Sequence, residues 1–136
     1  MITSEREAEL FNDSLERCTA SSEFLDRFYD LFLASSREVA EKFRHTDFPK
    51  QKRMLKASLY MMVLVADGKT EVQENLQRIA KRHSRTDLDI RPELYMLWLD
   101  CLIQAVRECD PRFTPETETA WRKIMECGIT FMQSHY

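Results

Sequence analysis

Hydrophobic positions recur at three- and four-residue intervals along nearly the whole chain, the spacing of one face of a helix. From roughly Ser4 to Cys18 the shared face carries Leu10, Phe11, Leu15 and Cys18. Ser21 or Ser22, ahead of Glu23, offers a cap for a second helix that buries Phe24, Leu25, Phe28, Leu31 and Phe32. The run "ASS" at 34–36 interrupts the pattern, and a short helix runs from Arg37 to about Phe43. "RHTDFP" reads as a loop, with Thr46 or Asp47 as cap and Pro49 in the first turn of a long helix. That helix shows one face of Gln51, Leu55, Ser58, Leu59 and Met62, and "ADGK" at 66–69 ends it. The next stripe is Val72, Leu76, Ile79, Ala80 and His83. After Pro92 comes a strongly amphipathic helix with Leu94, Leu97, Trp98, Cys101, Leu102 and Ala105. "DPRFTPE" is a further loop, with Thr114 as cap and Pro115 in the first turn of the last helix. Trp121, Ile124, Met125, Gly128, Phe131 and Met132 form its buried face.

About seven helices of unequal length predict an all-α domain spanning 1–136, with helices crossing at larger angles than in a simple bundle. Two glycines and four prolines leave little turn chemistry for a β fold. With 43% hydrophobic and 32% charged residues, 136 residues suit one core. A net charge of −3 and the lack of a basic stripe argue against a nucleic-acid partner. The longest apolar run, Leu59 to Ala66, is too short to cross a bilayer, and "MITSEREAEL" lacks the apolar segment of a signal peptide. Cys18, Cys101, Cys109 and Cys127 show no CxxC spacing and read as reduced thiols of a cytoplasmic protein, with no Cys/His cluster for zinc. Met54, Met61, Met62, Met96, Met125 and Met132 read as core or gap-filling side chains.

His83 is the position that composition does not explain. It lies eleven residues after Val72, on the same face as the apolar residues before it. Three readings are open at this point. It is a core histidine bonded to a backbone carbonyl, a helix-terminal histidine facing the dipole, or a metal ligand, since neutral imidazole in an apolar pocket is a good iron donor. One histidine cannot hold a bare metal, but it can hold an iron whose in-plane ligands come from a porphyrin. Tyr29 shares the face of Leu25 and Phe32, and Gln51 that of Leu55. Buried together, the two would supply hydrogen bonds to a small polar ligand; taken singly, each reads as an ordinary core or surface residue. Trp98 and Ile90 read equally well as core.

The segments "FLDRFYDLFL", "EVAEKF", "PKQKRML", "KRHS", "DIRPELY" and "ETAWRKIM" carry a resemblance to the globins, covering about Phe11 to Tyr136. The chain resembles bacterial single-domain globins and the haem domain of flavohaemoglobins. That resemblance implies a globin fold enclosing a haem pocket, with no clear D helix before Pro49. It implies haem b as cofactor, with His83 as proximal iron ligand and Phe43 stacked on the haem. Tyr29 and Gln51 match the distal ligand-binding pair, Leu55 the apolar residue over the iron, and Tyr95 a tyrosine near the proximal side. Ile90 and Trp98 could touch the haem edge, and Arg82 and Arg85, flanking His83, could pair with the haem propionates, although such arginines are more often simply solvated. His45 also falls within reach of a propionate, and His135 reads as frayed surface.

The function implied is reversible binding of dioxygen or another diatomic gas, nitric oxide or carbon monoxide, for oxygen binding or sensing, by a monomer or homodimer. A second reading is nitric oxide dioxygenation served by a separate reductase, because no glycine-rich phosphate loop occurs in these residues. A third is a haem-free globin-fold interaction domain with a signalling partner. Counted from "AW", the flavohaemoglobin proximal glutamate falls at Tyr136, so Tyr95 is kept without its carboxylate. The imidazole then lacks one source of donor strength.

Overall fold

The computed structural model describes residues 4–66, 70–85 and 88–134, without side chains at 65, 66, 70–73 and 75. Among the described residues there are seven helices and no strand. They are α1 (Glu5–Thr19), α2 (Phe24–Ser35), α3 (Arg37–Lys42), α4 (Phe48–Ala66), α5 (Thr70–His83), α6 (Glu93–Cys109) and α7 (Pro115–Ser134).

Most helix starts follow from local chemistry. Ser4 and Glu7 form a reciprocal capping box at α1, each side chain accepting the other's backbone N–H at 3.1 Å. Ser36, with extended backbone (φ −160°, ψ 138°), separates α2 from α3 and accepts the Glu38 N–H at 3.2 Å. Asp47 caps α4 through the Lys50 N–H at 3.3 Å, and Thr114 caps α7 through the Thr117 N–H at 3.1 Å. The expected serine cap of α2 is absent. Its N-cap residue is Glu23, in helical backbone and with no side-chain cap bond, while Ser21 accepts the Glu23 N–H at 3.2 Å one step earlier. The bend before α2 therefore takes the serine.

The helices pack chiefly as α2 on α6 and α1 on α7, with α4 against α7 and α1. One large apolar core joins them, centred on Phe11, Phe24, Phe28, Leu102 and Trp121, all fully buried. A smaller, separate cluster of Leu76, Ala80 and Met132 seats α5 on α7. The methionines divide. Met62, Met125 and Met132 are buried as expected, but Met54 and Met96 are 52% and 49% exposed. An unbranched apolar side chain on the flank of a helical stripe reads as core in the sequence, whether or not a neighbour covers it.

A buried polar network crosses the large core. Trp121 Nε1 donates to Ser14 Oγ at 2.9 Å, and Ser14 Oγ donates to Asp110 Oδ2 at 2.6 Å. Arg17 donates to both Asp110 oxygens, at 2.6 and 3.1 Å, and the Arg112 N–H donates to Oδ1 at 2.9 Å. Burial pushes the Asp110 carboxyl up, but Arg17, Ser14 and the Arg112 N–H outweigh it and hold the group below its ordinary value.

Asp110→Ala strands Ser14 and Arg17, so a loss of about 3 kcal/mol is expected, read as a lower urea midpoint at unchanged m-value. Because the folded-state pKa of Asp110 is depressed, its contribution is complete above the unfolded value near ~3.9 and disappears as pH falls through the folded value. The wild type should therefore lose stability over that acid range and Asp110→Ala should lose less, which paired urea titrations from pH 6 to pH 2 would measure.

Candidate functional site

A cavity of about 600 Å³ opens among α2, α3, α4, α5, α6 and α7. That volume is typical of a small-molecule or cofactor site. Tyr29, Phe43, Gln51, Leu55, Arg82 and His83 line it, as do Ile90, Tyr95 and Trp98. Nine of the ten residues singled out from the sequence thus converge on one space. The tenth, Arg85, is exposed and outside the lining. The helix stops at His83, so the helical period that would carry a later residue back to the cavity no longer applies. His45 is exposed and also outside the lining, while Tyr136, His135 and the Val72 side chain lie outside the described residues.

His83 is the last residue of α5, and its Nδ1 lies 2.8 Å from the carbonyl oxygen of Ile79, one turn back. As a donor in this bond, Nδ1 carries the proton and Nε2 keeps its lone pair. The loop beyond the helix closes the carbonyls it leaves. The Leu88 N–H donates to Arg82 O at 3.0 Å, Asp89 N–H to Ser84 O at 2.8 Å, and Ile90 N–H to His83 O at 2.9 Å. Asp89 adopts φ 52°, a left-handed conformation that aspartate tolerates better than most residues. This reversal brings Ile90 back to the cavity wall.

Tyr29 is 4% exposed, and its ring meets Phe28, Phe43 and Phe48 edge-on at centroid distances of 4.8, 5.8 and 5.4 Å. Burial pushes its hydroxyl up to about 12, and interaction with the Gln51 side chain opposes that rise. It is therefore a neutral donor at ordinary pH. Phe43 stacks on Phe48 at 6.1 Å and meets Phe32 edge-on at 5.9 Å, which makes an aromatic corner. Tyr95 packs against both apolar clusters, and burial pushes its hydroxyl up to about 12 as well.

Among the described residues, no three His, Cys, Asp or Glu side chains gather as a metal cluster. A single nitrogen donor at the edge of a largely apolar cavity suits an iron whose other ligands are brought by a porphyrin. The residues present therefore fit a haem.

A globin family model matches residues 26–132. The chain belongs to the globin family. A crystal structure of a Pseudomonas aeruginosa PAO1 protein, described as structurally highly homologous to a human haemoglobin, is 44% identical. The match covers 96% of this chain and 98% of that one, with a TM-score of 0.90. No curated protein matches this globin. The family is one of haem proteins that bind diatomic gases, and the seven-helix architecture agrees with the fold expected from the sequence.

Several lining residues of this globin were not read from the sequence as site residues. Lys42, Met54, Met61 and Arg78 border the cavity from the flanks of α3, α4 and α5. They sit one position off the main apolar stripes, and widening each stripe by one residue would have found them. Gly128 of α7 also lines the space, opposite Met62. A Cβ at residue 128 would stand 2.6 Å from Met62 Sδ and 3.0 Å from its Cε. The glycine leaves room for the methionine to fill the cavity wall.

Gly128→Ala sets a gain of about 0.5–1 kcal/mol in helix propensity against a roughly 1–3 kcal/mol overpacking cost, softened here by the flexible methionine end. The expected net change is a loss of about 1 kcal/mol or less. In a Met62→Ala background the clash is absent, and the same substitution should stabilise by about 0.5–1 kcal/mol. Urea unfolding of the four proteins in this double-mutant cycle gives the coupling directly.

Proposed function

We propose that this globin holds one b-type haem through His83 and reversibly binds dioxygen, or another diatomic gas, beside Tyr29 and Gln51. When bound, the haem supplies an iron with a coordination position for the gas. The observation that carries the reading is the His83 Nδ1 contact with the Ile79 carbonyl at 2.8 Å. It fixes tautomer and ring orientation together and leaves Nε2 as the coordinating atom. The C-terminal carbonyls of α5 add negative potential beside the ring and favour a donor imidazole.

Tyr29 and Gln51 reach the same cavity from α2 and α4. The tyrosine brings one O–H donor and the glutamine two N–H donors, in surroundings poor in competing water. Phe43 and Leu55 line the same space with apolar surface. Lys42, Arg78 and Arg82 at the rim supply cationic partners for the carboxylates of a haem. Oxygen binding or sensing follows from this arrangement without any catalytic residue.

His83→Ala should abolish the Soret band obtained when haemin is added to the purified protein, or leave a spectrum that changes on adding free imidazole. An unaltered ferrous spectrum in the variant would remove His83 from the iron.

Tyr29→Phe and Gln51→Leu should each speed dioxygen release far more than carbon monoxide release, because dioxygen is the ligand that gains most from a donor. A hydrogen bond of this kind is worth about 1–3 kcal/mol, roughly five- to 150-fold in off-rate. Stopped-flow displacement of each gas measures both rates, and unchanged dioxygen kinetics in both variants would take the pair out of the site.

A further inference from the structure

Two of the cavity's walls are lightly built. One is α3, six residues long and set off from α2 by the extended backbone of Ser36. A helix of that length does not hold its shape alone, and among the helices it packs chiefly on α2. Together with its C-cap it brings Val39, Lys42 and Phe43 to the cavity. The other wall is the chain that leaves α5 at His83. It passes through the left-handed Asp89 and brings Ile90 to the cavity before α6 begins at Glu93.

Among the described residues, side chains tie these walls together at two points. Arg91 Nε donates to both oxygens of Glu38, at 2.9 and 3.1 Å, and Arg91 Nη2 donates to the same carboxylate. Those bonds hold the Glu38 carboxyl below its ordinary value. One turn further along α3, Lys42 Nζ donates to the Leu88 carbonyl at 3.1 Å. Lys42 both joins the walls and lines the cavity, so substituting it would mix two effects. Glu38 and Arg91 are outside the lining, and the pair acts on an occupant only through the walls it joins.

We propose that Glu38 and Arg91 form a latch that positions the two walls and sets how fast haem leaves the cavity. The inference rests on the haem-binding reading. Phe43 caps α3, and His83 opens the segment that ends at Arg91. A flat cofactor held between these two residues is released as the walls part, and parting them breaks the Glu38–Arg91 bonds. Loss of the latch leaves every lining side chain and the coordinating nitrogen in place. It therefore changes a rate and leaves the absorption spectrum as it was. A two-pronged arginine–carboxylate contact is the strong form of an ion pair. With side chains 32% and 49% exposed, solvent screening keeps its effect modest.

The test uses the full chain loaded with haemin and a double-mutant cycle of Glu38→Gln, Arg91→Gln and the two combined. Haemin loss is timed by transfer to excess apomyoglobin. Each single variant should keep the wild-type Soret band and lose haemin about two- to fivefold faster. The double variant should be no faster than the faster single. High salt should speed loss from the wild type and leave the double variant unmoved. In the loaded proteins, hydrogen exchange should quicken in peptides covering 36–43 and 88–92 and stay the same in α1 and α7. Unchanged loss rates, single effects that multiply in the double variant, or a Soret band altered by either single variant overturn the latch alone. Faster exchange across the whole chain also overturns it, because that marks a general loss of stability. If the wild type gains no Soret band with haemin, the haem reading fails and the latch with it.

Discussion

The carboxylate of Asp110, sealed in an apolar interior, fixes how three helices meet. Its oxygens are satisfied by Ser14 and Arg17 from α1 and by the backbone at Arg112, and Ser14 in turn receives Trp121 of α7. A buried ion forces geometry on its surroundings because any slippage leaves it unpaired. The ends of α1, α6 and α7 are thereby held at one corner of the molecule. Phe11 and Phe24 close on Trp121 edge-on, at 4.7 and 6.4 Å, and complete that corner. With those elements set, α2 and α4 close over a space they cannot fill, and the cavity is what remains.

Inside that space a few polar groups act in poorly hydrated surroundings. Burial makes ionisation of Tyr29 costlier still, and the same burial makes any hydrogen bond it donates count for more. His83 is constrained from the other direction. Its Nδ1 is committed to the Ile79 carbonyl, which orients the ring. Aromatic contacts among Tyr29, Phe43 and Phe48 hold the distal corner without help from a ligand.

Much of the fold was legible in the sequence because each helix displays its core face at a regular interval. The cap of α7 was legible as Thr114, while for α4 the sequence left Thr46 and Asp47 open and the structure uses Asp47. Ser21 misled because a serine two residues from a helix start can serve a turn instead. For the candidate site, single residues carried little. Tyr29, Gln51 and His83 become informative only when brought to one cavity, and spacing along a chain says nothing about that. Arg85 fell outside the cavity because it lies past the last helical turn.

The smaller apolar cluster has a consequence for how the molecule holds together. Five of the long helices share one continuous core, but α5 is seated through Leu76 and Ala80 on Met132, with Tyr95 and two partly buried neighbours beside them. Among the described side chains, those that seat the helix presenting His83 thus belong to the smaller cluster. A group that spanned the cavity from His83 to Tyr29 and Gln51 would bridge the two clusters. Binding there and the order of α5 would then be linked in a single equilibrium.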